Sequence, residues 1–161
     1  MKLSESPSVS VSTVIAASLE RVWEVVSDIN TPASFSQEFQ GAQWLSPAPH
    51  TVGSTFRGVN RRGDNEWDTT CTVTAWVANT IFTYVVEDVS EPVAIWSYTL
   101  SPEGPRTRLT FTAAVGPGES GLTRAVAMSP EDEERVIEVR LALWRGNMAA
   151  TIAGMKALAE A

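Results

Sequence analysis

A chain of 161 residues is long enough for one domain with a real core and too short for two. Nineteen acidic against twelve basic side chains leave a net charge of -7, which repels a phosphate backbone and an anionic membrane surface alike and argues against nucleic acid as a partner. Cys71 is the only cysteine, no run is long enough to span a bilayer, and the first twenty residues lack the apolar segment of a signal peptide, so a cytoplasmic protein without an internal disulfide or stable membrane insertion is expected.

The whole of 1–161 is expected to form a single domain in which 1–7 is a flexible tail. The alternation of "SVSVSTVIAAS" predicts a first strand with one buried face. Ser18 then caps a helix whose apolar side carries Leu19, Val22, Trp23 and Val26, with Glu20 placed where the dipole favours it. A second short helix is expected to begin at Thr31-Pro32 and to end before Gly41. From Gly41 to Val115 the texture changes to short runs of Val, Thr, Phe, Tyr and Trp between turn signals, which predicts about six strands in an antiparallel meander. Arg62-Gly63-Asp64 is read as one of those turns rather than as an adhesion tripeptide. The glycines of "GPGESG" break the sheet and introduce a connector over 116–129, a candidate lid. Ser129-Pro130-Glu131-Asp132 opens a last helix running to about residue 159, roughly 45 Å long. Its apolar stripe passes through Ile137, Leu141, Trp144, Met148, Ile152, Met155 and Leu158.

This order of elements resembles the helix-grip fold of the SRPBCC (START-like) superfamily, in particular its polyketide cyclase/dehydrase and lipid transport branch. "RVWEVVSDINTPASF" is similar to the family's first helix pair, "GSTFRGVNRRG" to its third strand and turn, "IWSYTL" to a later strand, and "LWRGNMAATIAGMKALAE" to its closing helix. The resemblance implies an α+β fold in which a curved antiparallel sheet wraps around the long C-terminal helix, with two short helices after the first strand. It also implies a small hydrophobic, lipid- or polyketide-like ligand between sheet and helix. The small residues Gly146, Ala149, Ala150 and Gly154 are then expected to leave room for it.

Strand alternation proposes the cavity wall, because every second side chain faces the same way. The inward set is Phe56, Gly58 and Asn60; Trp67, Thr69, Cys71 and Val73; Phe82, Tyr84 and Val86; Trp96, Tyr98 and Leu100; and Leu109, Phe111 and Ala113, faced by Trp144 and Met148 from the helix. Aromatic residues at this spacing are equally consistent with an ordinary packed core. Candidate ligand contacts are Phe56, Asn60, Trp67, Thr69, Phe82, Tyr84, Trp96, Tyr98, Phe111, Trp144 and Met148. Asn60 either holds a ligand oxygen or bonds backbone in the adjoining turn, and the hydroxyls of Tyr84 and Tyr98 either meet a ligand or reach for the rim.

Catalytic residues are less legible. His50, the only histidine, sits in "SPAPHTVGS" and reads as an exposed loop residue; with one distant cysteine it offers no metal-ligand spacing, and Cys71 lacks a basic partner to activate it. No phosphate loop, dinucleotide fingerprint or Ser-His-Asp order is present, so neither a metal nor a nucleotide cofactor is expected. Arg140 lies beside the stripe and is expected to face solvent or to pair with an acid on its own helix, the alternative being a donor within the pocket beside Tyr98, Tyr84, Asn60 and Thr69. Three readings follow. The first is a binding protein for a small hydrophobic molecule. The second is a cofactor-independent polyketide cyclase, aromatase or dehydratase in the same cavity, for which Tyr98 and Asn60 are the candidates. The third is a ligand-free scaffold that dimerises; the chain is either a monomer or a homodimer.

Overall fold

Alternating Val, Thr and aromatic residues build seven strands in this computed structural model, which describes all 161 residues. They are β1 (Ser8–Ile15), β2 (Phe39–Trp44), β3 (Thr55–Arg62), β4 (Asn65–Val77), β5 (Ile81–Val86), β6 (Ala94–Glu103) and β7 (Arg106–Val115). All pair antiparallel in one curved sheet of spatial order β1-β7-β6-β5-β4-β3-β2, so the chain crosses the sheet only once, between β1 and β2. The period of two is clearest in β7, where Thr107, Leu109, Phe111, Ala113 and Val115 are buried and every intervening residue is more exposed. Gly63 and Gly104 turn the β3–β4 and β6–β7 hairpins with φ near +60°, a conformation that costs glycine nothing.

Helix α1 (Leu19–Val26) follows β1 and starts where Ser18 accepts a hydrogen bond from the Arg21 N–H. It buries Val22, Val25 and Val26, while Trp23 is half-buried against the same core. The segment expected as a second helix is only one 3-10 turn, Thr31–Ser34. It stops there, well before Gly41, because the Ser36 hydroxyl takes the N–H groups of Glu38 and Phe39 and releases the chain into β2, which begins two residues ahead of Gly41. The ladder to β3 then captures this edge strand, with a shift of register between Phe39 and Gly41.

Two segments read as irregular carry regular structure. Residues 1–7, expected as a tail, include a 3-10 turn at Leu3–Glu5; Pro7 is buried and the Leu3 N–H donates to Glu133 Oε1 at 2.8 Å. The 116–129 connector contains α2 (Gly121–Met128), started by a reciprocal cap between Ser120 and Thr123. Leu122 and Val126, one turn apart, bury against Val115 and Ile137. A glycine at its first position and a length of two turns hid this helix from the sequence reading.

The chain closes with α3 (Glu133–Glu160), entered through a 3-10 turn at Pro130–Asp132. Its 28 residues span about 42 Å. Ile137, Met148, Ile152 and Met155 are buried as expected, and Leu141 and Trp144 are half-buried against the core. Leu158 is not: Ala159 and Thr151 are buried in its place. Three residues beyond Met155 turn the helix about 60° short of a full circle, which carries position 158 off the face that 159 still shares. Gly146, Ala149 and Ala150 lie on the outer face and leave no room inside the protein. Gly154 has a different use. A Cβ there would run into the Phe35 ring, so the glycine lets that ring lie against the helix. No helix is long and apolar enough to cross a membrane.

Candidate functional site

Between the sheet and α3 lies a cavity of about 520 Å³. Its walls come from alternate positions on β3 to β7, from α3, and from the start of α2. All eleven candidate contacts line it: Phe56 and Asn60 on β3, Trp67 and Thr69 on β4, Phe82 and Tyr84 on β5, Trp96 and Tyr98 on β6, Phe111 on β7, and Trp144 and Met148 on α3. The register of each strand is fixed by its neighbours, Tyr98 facing both Phe82 and Phe111 across the ladder and Trp96 facing Tyr84 and Ala113. A slip of one residue anywhere would have turned that strand's set outward.

The lining is a connected aromatic shell. Trp96 and Trp144 meet at 4.9 Å and join sheet to helix. Tyr98 stands edge-on to Phe111 at 4.1 Å and stacks on Phe82 at 6.2 Å, while Tyr84 packs on Phe56 and Phe82. Flat faces and ring edges of this kind favour offset or edge-on contact with another ring.

Among the aromatic rings the wall carries the hydroxyls of Tyr98, Tyr84 and Thr69 and the Asn60 amide, and charged side chains including Arg62, Glu87 and Arg140 line the cavity as well. Tyr98 is 2% exposed, and its hydroxyl is buried without any hydrogen-bond partner. Such an orphan costs roughly 1–3 kcal/mol relative to a satisfied hydroxyl. Burial pushes the Tyr98 phenol well up, with Tyr84 adding to it, and burial pushes the Tyr84 phenol up with Cys71 adding to it. Both remain neutral donors at any physiological pH. They are suited to hold an oxygen and poorly suited to give up a proton. Asn60, on the same wall, is half-buried at the Trp67 register position.

Cys71 is buried beside Thr69, whose hydroxyl lies 3.9 Å from the sulfur. Burial pushes its thiol up to about 12, the Thr69 contact opposes that, and the Glu87 charge adds to it. Thiolate is the reactive form, so iodoacetamide at pH 8 is expected to alkylate Cys71 on the order of a thousandfold more slowly in the folded protein than in the urea-unfolded chain. Mass spectrometry of timed samples measures this, and equal rates would show that the sulfur is not enclosed.

His50 is exposed, with φ of 75°, and lies outside the cavity, where it stacks on Trp76 at 5.3 Å and meets the edge of Trp44. Arg140 departs from its expected place. It lines the cavity and pairs at 3.9 Å with Glu38, which precedes β2, instead of with an acid on its own helix. Sequence reasoning missed Arg62 and Asn147, which line the cavity, as do the α2 residues Gly121 and Leu122 from the segment expected as a candidate lid. The signal for Arg62 was available, since it continues the Phe56, Gly58, Asn60 phase by one more step.

A family profile described as "Polyketide cyclase / dehydrase and lipid transport" matches residues 6–160. No curated protein matches the chain. Among solved structures, a Polyketide_cyc-like protein from Corynebacterium glutamicum is similar at 23% identity and a TM-score of 0.68, over 92% of this chain and 88% of that one. A Streptomyces aromatase/cyclase is similar at 16% identity and a TM-score of 0.70, over 96% and 93%. The di-domain ARO/CYC protein BexL matches at 17% identity and a TM-score of 0.73, over 97% of this chain and 50% of that one. At these identities the likeness is one of fold: a helix-grip sheet around a long helix.

Proposed function

The chain belongs to the polyketide cyclase/dehydrase and lipid transport family, and from that premise we propose that it binds a flat, ring-bearing hydrophobic molecule in the cavity between sheet and α3. The observation that carries this reading is the preformed space of about 520 Å³ walled by a connected aromatic shell, with the unpartnered Tyr98 hydroxyl buried in that wall between Phe82 and Phe111. A packed core avoids such a space, because the atoms that line it forfeit their contacts. A flat ligand restores those contacts against the aromatic shell, and the half-buried Tyr84 and the Tyr98 phenol offer donors to its oxygen.

Native mass spectrometry of gently purified protein, followed by denaturing extraction, tests for a carried molecule. Titration with polycyclic ketones and fatty acids, read by Trp96 and Trp144 emission, tests for exchangeable binding. One apolar molecule per chain, or saturable quenching at one site, is the expected result. An empty mass together with no response to any member of the panel overturns the reading.

A second reading has its own support. Two neutral phenols, Tyr98 and Tyr84, on one wall can hydrogen-bond a carbonyl oxygen and stabilise the enolate that forms when a poly-carbonyl chain cyclises or loses water, with no cofactor. Product formation from a poly-ketone, seen by chromatography and mass spectrometry and lost in Tyr98→Phe, separates this from binding alone.

A further inference from the structure

The mouth of the cavity differs from its interior. It is framed by the β3–β4 hairpin, the loop after β5, the start of α2 and the first half of α3, which contribute Arg62, Glu87, Gly121 and Arg140 to the lining. Arg140 is only one-fifth exposed, as is Glu38, and the gap of 3.9 Å between them is long for a charge-assisted contact. Arg62 takes no part in any of the seven ion pairs; its guanidinium lies 5.7 Å from the centre of the Trp67 ring.

Arg140 thus keeps one long contact with a carboxylate, and Arg62 keeps none. Burial makes charge on Arg140 costly, Arg62 adds to that cost, and Glu38 opposes it. Of the other carboxylates along the cavity, Asp68 pairs with Arg57 at 2.8 Å, Glu119 pairs with Arg124 at 3.2 Å and Asp28 accepts from the Asn30 N–H, while Glu87 is in no ion pair. A partly buried Arg140 next to an exposed, unpaired Arg62 puts two like charges at one mouth of a protein of net charge -7. One bound anion relieves their repulsion.

We infer that the mouth receives the carboxylate of an amphipathic acid, an aromatic or polycyclic carboxylic acid whose rings occupy the interior while Arg62 and Arg140 hold its charged end. The inference rests on the binding reading above and narrows it to a class. Guanidinium is the natural partner, because its planar fork meets a carboxylate with two parallel hydrogen bonds. An uncharged ketone or amide offers neither the charge nor the second acceptor.

The test compares 2-naphthoic acid with 2-naphthamide, which share their rings and differ in charge. Each is titrated into the full chain at pH 7 and low salt, with tryptophan quenching as the readout. The acid is expected to bind at least about tenfold more tightly, and 0.5 M NaCl is expected to shrink that preference. In Arg62→Gln, and again in Arg140→Gln, the acid-to-amide ratio falls toward one. Arg62 is exposed, so its variant is safe for folding if the partly buried Arg140 is not. Arg61→Gln removes the same charge one residue away, from a side chain paired outward with Glu66, and keeps the ratio. Equal binding of the two probes by the unaltered protein overturns the inference, as does a ratio that survives both arginine changes. Failure of both probes to bind overturns this inference, whereas the cavity reading falls only if the wider panel of ketones and fatty acids also gives no response.

Discussion

Gly116→Ala is expected to lower the melting temperature by about 6–12 °C. A Cβ at this position would overlap the carbonyl oxygen of Pro92 and crowd the backbone that follows it, so no side-chain rotation offers relief. The backbone is held from both directions, the Gly116 N–H donating to the Val93 carbonyl at 3.0 Å and the Gly118 N–H to the Pro92 carbonyl at 2.9 Å. Forcing the segments apart costs about 3 kcal/mol, the upper part of the range for overpacking, and each kcal/mol moves the midpoint of a chain this size by about 2–4 °C. The same junction ties the loop after β5 to the link between β7 and α2, and both border the cavity mouth. Ligand affinity should therefore fall with stability. Gly146→Ala is the control: nothing lies near its Cβ, and replacing a helical glycine gains about 0.5–1 kcal/mol. Calorimetry of the two variants beside the parent decides the matter, and a Gly116→Ala midpoint within 2 °C of the parent would show that the close approach is not needed.

Tyr98→Phe should move stability and binding in opposite directions. Removing a buried hydroxyl that has no partner relieves its desolvation penalty, so the ligand-free variant should gain about 1–2 kcal/mol, or roughly 2–8 °C. The phenyl ring keeps the contacts with Phe111 and Phe82. Affinity for an oxygen-bearing ligand should fall by about tenfold, the worth of one buried hydrogen bond. A hydroxyl that served only packing would leave binding unchanged, and one satisfied by a hidden partner would make the variant less stable. The pH dependence has a definite sign. Burial holds the folded Tyr98 and Tyr84 phenols above their ordinary value near 10, so above that pH the unfolded chain loses protons that the folded chain keeps, and stability falls. With one phenol fewer, Tyr98→Phe should show a shallower alkaline decline in urea denaturation between pH 9 and 11.

Much of this architecture was legible from one-dimensional patterns. Period-two alternation over residues 8–115 marked the strands and even their inward phase, since phase is a property of the strand's own residues once the fold supplies an inside. The Ser18 cap was equally local, whereas Ser129 makes no capping bond and the long helix starts only at Glu133, after the 3-10 turn at Pro130–Asp132. What depended on packing was not legible. The stripe on α3 drifted away from Leu158, and the short α2 forms only because Leu122 and Val126 find Val115 and Ile137. Gly154 is small because Phe35 lies against it, whereas Gly146, Ala149 and Ala150 turned out to face solvent.

The sequence by itself determined the α+β class and the inward phase of the aromatic strand residues, because these follow from residue type and period. Only the tertiary structure decided that a space of about 520 Å³ stays open among those aromatics, that the Tyr98 hydroxyl is left without a partner, and that Arg62 and Arg140 come together at the mouth. Each of these is a relation between residues far apart in the chain, and their charges, volumes and unsatisfied bonds acquire meaning only once α3 lies across the sheet.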